Sequence, residues 1–346
     1  MANLKDVARL AQVDPSTASR VLRGDPRQAV RAETRERILD AARTLHYRPN
    51  ALARGLRTRR TDTIGLVIPS LDNVGFSEVT HGIQAAAHEA GKLVMVVEAD
   101  ALRQKADGNE EHYARLITDG RVDGLIVAFA TLDDHLVAQL AERDLPLVLV
   151  NRRTVGISGS VVVDDEGGSA KAVGHLIELG HRRIALVGLD ADTDTAQRRE
   201  RGYRRAMERG SCVIDEAWVV ESAPTEEGGR GAIGRLLLLP PGDRPTAVFA
   251  ASLLGAIGVL AGIRDAGMRV PADISLIAFN DHPLAAHMSP PLTTIRMANY
   301  RMGQEAVRML LRAVDGEPVS DRMLDDEPEV VVRASTAPPR TDAPSG

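Results

Sequence analysis

The sequence predicts a small all-α head followed by a larger α/β body with two lobes. In the first sixty residues, apolar side chains recur at helical spacing. After Thr61, short apolar runs alternate with amphipathic stretches. Strands that are apolar on both faces and alternate with helices are typical of parallel sheets covered by helices. Because the runs are too many for one compact sheet, we expect two α/β lobes.

The head is predicted to hold three helices. The first begins near Leu4, the second runs from about Pro15 to Leu22, and the third runs from about Ala32 to Leu45. Asp14 and Pro15 mark a helix start, because aspartate caps the first amides and proline is favoured at the first helical position. The apolar stripe of the third helix is expected to comprise Ile38, Leu39, Ala42 and Leu45.

The body elements follow from the same patterns. Strands are predicted at 64–68, 93–97, 125–129, 147–150, 161–163, 184–187, 247–250 and 274–279. Helices are predicted at 77–90, 110–118, 168–179, 198–209, 256–266 and 300–314. The last eleven residues or so are rich in proline and small polar residues, which predicts a disordered tail, at the least over 339–346.

The charge is divided unevenly along the chain. The formal net charge is −5, but residues 1–60 hold fourteen basic and six acidic side chains, so the head carries +8 and the remainder −13. Such asymmetry favours a nucleic-acid or membrane partner for the basic part. The single cysteine, Cys212, excludes an internal disulfide framework. No apolar run is long enough to span a membrane and the N-terminus lacks the apolar core of a signal peptide, so we expect a cytoplasmic protein with no membrane partner.

Helix, three-residue turn and helix form the outline of a helix-turn-helix, whose second helix enters the major groove of DNA. The second helix presents Ser16, Thr17, Ser19 and Arg20 near its N-terminal half. Hydroxyl groups and an arginine at these places can reach base edges and phosphates. The alternative is a small helical bundle with a solvated charged face.

Six separated segments resemble the lactose/galactose repressor family of transcriptional regulators. They are 4–11 with 14–22, 47–56, 121–126, 173–185, 290–295 and 330–336. The resemblance follows the family order over almost the whole chain. It implies a DNA-binding head, a short hinge helix, and a body similar to periplasmic sugar-binding proteins, with two lobes around a ligand cleft.

The resemblance also implies boundaries. Residues 1–49 are the expected DNA-binding domain, 50–60 a hinge helix and linker, and 61–338 an effector-binding and dimerisation domain. Its lobes are expected to comprise about 61–160 with 291–322, and about 161–290 with 323–338. DNA contacts are implied for Leu4, Lys5, Pro15, Ser16, Thr17, Ser19, Arg20, Arg23, Thr34, Tyr47, Asn50, Ala53, Arg54 and Leu56.

The hinge, residues 50–57, spans about two helical turns, and isolated helices this short are marginal in water. We therefore expect it to order only when two copies pack on DNA. In the family, a leucine at the position of Leu56 wedges between minor-groove base steps. The alternative is that Leu56 is a linker residue that packs on the body.

The head departs from the family pattern at a few positions. Gln12 stands where a turn glycine is usual, and a left-handed residue other than glycine costs about 1–2 kcal/mol. Pro15 occupies a base-facing position, Arg23 replaces a usual asparagine, and the loop from Arg23 to Ala32 is longer than the common form.

The resemblance places the effector cleft at Asn73, Phe76, Asn151, Thr195, Arg199, Ser252 and Asn280. Three of these positions, Asn151, Ser252 and Asn280, are neutral where the family usually has carboxylates or an Asn-Asp pair. An arginine without facing carboxylates suits an anionic ligand, so a sugar phosphate or sugar acid is one hypothesis. The other is an ordinary sugar held through groups such as Asp281 or Glu98.

Enzyme motifs are absent from the sequence. It holds no dinucleotide-binding fingerprint, no phosphate-binding loop and no nucleophile elbow, so no cofactor is expected. Asp281, His282 and His287 lack the spacing of a metal site, and we interpret the histidines as loop residues. A sugar-transport binding protein and an α/β enzyme with a fused head remain as rival classes.

A chain end without leucine heptads favours a homodimer over a tetramer. A dimer suits a pseudo-palindromic operator. We therefore expect a sequence-specific transcriptional repressor of carbohydrate-related genes, with a sugar or sugar-derived effector that releases it from DNA.

Overall fold

The computed structural model describes residues 2–22, 30–47, 60–99, 120–134, 137–138, 141, 146–188 and 190–340. Internal contacts divide the chain into two compact units, residues 1–61 and 62–346. The predicted helix at 110–118 lies outside the described residues. Within the described residues, no helix is long and apolar enough to cross a membrane.

The head unit contains the three predicted helices, α1 (Leu4–Leu10), α2 (Pro15–Leu22) and α3 (Ala32–Thr44). Its core is built on Val7, Ala8, Ala11, Ala18, Val21, Ile38, Ala41 and Ala42. The expectation for Leu39 is wrong: its side chain is 39% exposed, because Ala41 rather than Leu39 completes the buried face of α3.

The turn between α1 and α2 has the expected chemistry. Asp14 Oδ1 accepts a hydrogen bond from the amide of Ser16 at 2.7 Å, which caps α2. The side-chain and backbone hydrogen bonds with Ser16 lower the pKa of Asp14. Gln12 itself takes the left-handed conformation, with φ of +54°. The turn therefore keeps its backbone geometry without a glycine.

The described residues of the body unit form two six-stranded sheets. The strands of the first sheet are β1 (Thr63–Ile68), β2 (Leu93–Glu98), β3 (Gly124–Val127), β4 (Leu147–Val150), β5 (Ser160–Val162) and β11 (Arg322–Met323). Those of the second are β6 (Ile184–Val187), β7 (Val219–Val220), β8 (Ala247–Ala250), β9 (Ser275–Phe279), β10 (Thr293–Arg296) and β12 (Glu329–Val331). The first sheet has the order β11-β5-β4-β3-β1-β2 and the second β12-β10-β9-β8-β6-β7. All neighbouring strands are parallel except β12, which runs antiparallel to β10.

The body helices are α4 (Ser77–Glu89), α5 (Asp165–Glu178), α6 (Asp194–Arg209), α7 (Glu226–Leu237), α8 (Leu253–Asp265) and α9 (Asn299–Val314). Short 3-10 helices lie at Val74–Phe76, Glu216–Trp218, Pro241–Asp243 and Pro283–His287. The predicted fold class, a helical head and a two-lobed α/β body, is confirmed.

The chain passes between the two lobes three times. It leaves the first sheet after β5, returns between β10 and α9, and crosses again between β11 and β12. The expected boundaries at 160–161, 290–291 and 322–323 therefore fall too early. Val161 and Val162 still belong to β5 of the first sheet. β10 belongs to the second sheet because it pairs with β9, and Met323 to the first because it pairs with Val162.

Helix α7 was not expected from the sequence, because glycine disfavours helices. Its glycines instead allow close packing. A Cβ on Gly229 would lie 2.0 Å from the carbonyl oxygen of Gly255, and one on Gly258 would lie 1.9 Å from that of Glu226. The helices α7 and α8 thus approach through backbone atoms, which only glycine allows.

The chain beyond Ser335 is more ordered than expected. Thr336 bonds to His175 at 3.0 Å, and the Ala337 carbonyl oxygen accepts from Ser275 Oγ at 3.0 Å. The expectation of a tail of about eleven disordered residues is therefore wrong for Thr336 to Arg340, because these residues bind the second lobe. Residues 341–346 lie outside the described residues.

Candidate functional site

A cleft between the two lobes brings together all seven residues that the sequence placed there. The empty space among its lining residues is about 520 Å³, open solvent included. The lining comprises Asn73, Gly75, Phe76, Val79, Asn151, Arg152, Thr195, Arg199, Pro224, Ser252, Leu253, Asn280 and Asn299. Asn151, Ser252 and Asn280 lie just beyond the carboxyl ends of β4, β8 and β9, the edge at which open parallel sheets bind ligands.

Several lining residues also hold the local backbone. Asn73 Oδ1 accepts from the amide of Gly75 at 3.1 Å and caps the short helix Val74–Phe76. Ser252 Oγ accepts from the amide of Gly255 at 3.1 Å and caps α8. These bonds fix where the side chains lie, so the cleft wall is organised before any ligand enters.

Arg199 is buried in the second lobe, with its side chain 5% exposed. Its Nε donates to Asp165 Oδ1 at 2.7 Å, and Nη1 donates to the carbonyl oxygen of Ala251 at 2.6 Å. The guanidinium lies 3.9 Å from the ring centre of Phe279. Burial lowers the pKa of Arg199, and the adjacent Asp165 opposes that effect.

The pairing of Arg199 with Asp165 corrects the premise of the anionic-ligand hypothesis. That hypothesis needed an arginine without a facing carboxylate. Asp165 is fully buried against Arg199, 34 residues away in the chain. A residue so distant in sequence gave no signal in the local pattern around Arg199.

The alternative carboxylates also lie outside the cleft lining. Glu98 accepts a hydrogen bond from the amide of Leu71 at 2.7 Å. Asp281 accepts from Thr294 Oγ1 at 2.7 Å and from Arg333 at 2.8 Å. Burial raises the pKa of Asp281, but hydrogen bonds from Thr294, Arg333 and Arg296 outweigh it, and the net shift is downward. No aspartate or glutamate lines the cleft in the described part of the chain.

Sequence reasoning missed six lining residues: Gly75, Val79, Arg152, Pro224, Leu253 and Asn299. Asn299 is the most informative, because its Nδ2 donates to Asn280 Oδ1 at 3.2 Å. It begins helix α9, which packs on the first lobe, so this bond crosses the cleft. A polar residue at the start of a long helix was the available signal.

The candidate DNA-reading residues gather at the start of α2. Pro15 and Ser16 are exposed, whereas Thr17, Ser19 and Arg20 are half-buried. Arg20 Nε donates to the carbonyl oxygen of Ser16 at 3.1 Å, and Nη2 donates to Ser16 Oγ at 3.1 Å. The arginine therefore lies along its own helix, beside the exposed hydroxyl group.

The other head candidates are spread over its surface and core. Lys5 is exposed and Thr34 half-buried, while Leu4 and Tyr47 pack against the head core. Arg23, Asn50, Ala53, Arg54 and Leu56 lie outside the described residues.

Groups considered for metal or covalent chemistry have structural roles. His282 Nδ1 accepts from the amide of Leu284 at 3.2 Å and caps a 3-10 helix. Burial raises the pKa of the Cys212 thiol, which disfavours the reactive thiolate. Among the described residues, no group of three His, Cys, Asp or Glu side chains is placed to hold a metal ion.

Comparison with known proteins agrees with both parts of the molecule. Residues 3–50 match the family described as bacterial regulatory proteins, lacI family. Residues 173–336 match the family described as periplasmic binding protein-like domain. The HTH-type transcriptional repressor PurR of Aliivibrio fischeri strain ES114 is 33% identical over 97% of this chain and 99% of its own length.

Solved structures are similar over 80–97% of this chain. The Lac repressor dimer bound to operator and the anti-inducer ONPF has a TM-score of 0.81 at 28% identity, covering 97% of this chain and 99% of that one. The transcriptional regulator CelR in complex with cellobiose has a TM-score of 0.72 at 30% identity, covering 97% and 100%. A LacI-family regulator from Enterococcus faecium with bound ribose has a TM-score of 0.68 at 25% identity, covering 80% and 100%.

Proposed function

This chain belongs to the LacI/GalR family and is a DNA-binding transcriptional repressor, not an enzyme, and we propose that a small neutral carbohydrate in the interlobe cleft modulates its operator affinity. One observation carries the proposal. The cleft offers four asparagine amides and two hydroxyl groups. Of the two arginines in its lining, Arg199 is paired with Asp165, and Arg152 donates to the carbonyl oxygens of Phe129 and Ala130.

Amides and hydroxyl groups suit a neutral sugar because each both donates and accepts hydrogen bonds, as sugar hydroxyls do. The amides are those of Asn73, Asn151, Asn280 and Asn299, and Phe76 supplies an aromatic face. Two solved relatives support the ligand class, since one is a cellobiose complex and another holds ribose.

The coupling to DNA follows from two sites on one chain. A homodimer presents two α2 helices to the half-sites of a pseudo-palindromic operator. Closure of the lobes on the effector alters the spacing of the hinge segments, so effector binding and operator binding share a coupling free energy. We propose that the effector releases the operator.

The test is a ligand panel read by thermal unfolding and by gel shift on an operator selected from random DNA. We expect a neutral mono- or disaccharide to stabilise the protein and to weaken its operator complex. Replacing Asn73 with alanine should abolish both effects. Gln84→Ala, which removes an exposed amide on α4, is the matched control. Stabilisation by sugar phosphates alone contradicts the proposal.

The panel also decides a second candidate, a purine base. This candidate is favoured by the 33% identity to repressors named PurR. Asparagine amides can also pair with the edge of a planar base. Stabilisation by purine bases without any sugar response would select this candidate.

A further inference from the structure

Arg198, the neighbour of Arg199, is a buried arginine outside the cleft lining, with its side chain 6% exposed. Its Nε donates to Asp194 Oδ2 at 3.0 Å, and its Nη2 donates to the carbonyl oxygen of Asn151 at 2.9 Å. Nη1 donates to the carbonyl oxygen of Val163 at 2.8 Å and to Asp165 Oδ2. One guanidinium therefore has four acceptors.

The four acceptors belong to both lobes. Asn151 and Val163 follow β4 and β5 of the first sheet, whereas Asp165 and Asp194 begin α5 and α6 of the second lobe. Asp194 Oδ2 also accepts from the amide of Arg153 in the first lobe, at 3.2 Å. Arg198 and Asp194 therefore form a cross-link between the lobes.

The same bonds reach one residue on each wall of the cleft. On the first wall, Asn151 takes a left-handed φ of +71°; its carbonyl oxygen accepts from Arg198 and its side chain lines the cleft. On the second wall, Arg199 shares Asp165 with Arg198, each arginine bonding one carboxylate oxygen. Two arginines face two aspartates, so the cross-link is formally neutral and needs no anionic ligand.

We propose that Arg198 is a positioning residue that sets the separation of the two lobes, and with it the width of the cleft before effector binds. A planar guanidinium with five donors can span acceptors on both lobes. A lysine keeps the charge but presents its donors from one point and cannot span them.

Distances between spin labels on the two lobes test this directly. The labels are placed on Glu89→Cys in α4 and Glu227→Cys in α7, both exposed positions, in a Cys212→Ser background. The full-length protein is measured with Arg198, with Arg198→Lys and with Arg198→Met. Arg205→Met is the matched control, because Arg205 lies on the same helix but pairs with Glu166 within the second lobe.

We expect a narrow distribution of label-to-label distances for the protein that retains Arg198 and for the Arg205→Met control. Arg198→Lys and Arg198→Met should broaden the distribution and lengthen its mean. Asp194→Asn keeps the guanidinium but weakens a shared acceptor, so its distance distribution should have an intermediate width. This variant carries the test if the Arg198 variants fail to fold. An unchanged distribution in a folded Arg198→Lys protein, or in Asp194→Asn where only that variant folds, would overturn the proposal.

The consequence for the ligand rests on the proposed function. A wider cleft should bind the effector more weakly, although Arg198 does not line the cleft. The distance measurement needs no effector, so its result stands even if the ligand panel finds no sugar.

Discussion

Asn151 and Asn280 occupy equivalent positions in the two lobes. Each directly follows the strand that lies third in its sheet, β4 or β9, and each is left-handed, with φ of +71° and +69°. Each is also held by the opposite lobe: Arg198 donates to the Asn151 carbonyl oxygen, and Asn299 donates to Asn280 Oδ1. The cleft is thus bordered by two asparagines, and each of them accepts a hydrogen bond from the opposite lobe.

Replacing Asn280 separates its backbone role from its side-chain role. Asn280→Ala should lower the free energy of unfolding by roughly 1 kcal/mol, because alanine resists the left-handed conformation. Asn280→Gly should retain nearly native stability, since glycine adopts that conformation freely. Both should lose the effector response of the operator gel shift. If Asn280→Gly responds normally, the amide has no part in ligand binding.

Removing the charge of Asp165 should be severe. Asp165→Asn leaves Arg198 and Arg199 buried without their shared carboxylate, which should cost about 3–5 kcal/mol in the free energy of unfolding. Urea unfolding measures the loss. The neighbouring change Glu166→Gln is the control, because its partners Arg201 and Arg205 are exposed and such pairs contribute up to about 1 kcal/mol. Equal losses for the two variants would contradict the buried network.

Replacing Gln12 with glycine should stabilise the head. The left-handed φ of +54° costs a residue other than glycine about 1–2 kcal/mol. Part of this gain is offset by the entropy of glycine in the unfolded chain. Hydrogen exchange of the α1 and α2 amides in the full-length protein should slow by about fivefold, which corresponds to about 1 kcal/mol. Gln12→Ala keeps the strain and should show no slowing; faster exchange in Gln12→Gly would refute the argument.

Two histidines that contact the C-terminal segment, His175 and His181, should make the stability of the body pH-dependent. His181 is buried, and its ring nitrogens contact Thr246 at 2.9 Å and the Ala337 carbonyl oxygen at 2.8 Å. Burial lowers the pKa of His181 from 6.5, and burial likewise lowers the pKa of His175 beside it. As the pH falls, the unfolded chain therefore takes up protons at a higher pH than the folded chain. The stability that the neutral histidines contribute is present above the unfolded-state pKa of 6.5 and is lost as the pH falls through their folded-state pKa values.

Denaturant unfolding between pH 7.5 and 5 checks this dependence. His181→Gln should reduce the slope, because glutamine does not titrate. His88→Gln, at an exposed position near the end of α4, is the control. A slope that His181→Gln leaves intact would assign the dependence to other groups.

The seven cleft positions were predicted from the resemblance to a known family, and the strand pattern agrees with three of them. Asn151, Ser252 and Asn280 each come directly or nearly directly after a buried strand that is visible as an apolar run. The charge state of the cleft could not be predicted, because Asp165 meets Arg199 only after α5 and α6 pack together.

The sequence by itself determined the helical head, the basic character of that head and the two α/β lobes, because periodicity and charge are local properties. The seven predicted cleft positions came from the resemblance of the sequence to a known family. Only the tertiary structure decided how the lobes are joined. The glycine contacts of α7 with α8, the pairing of β10 with β9 and the four acceptors of Arg198 bring together residues that are distant in the chain. Such contacts depend on three-dimensional packing, so no local pattern in the sequence carries them.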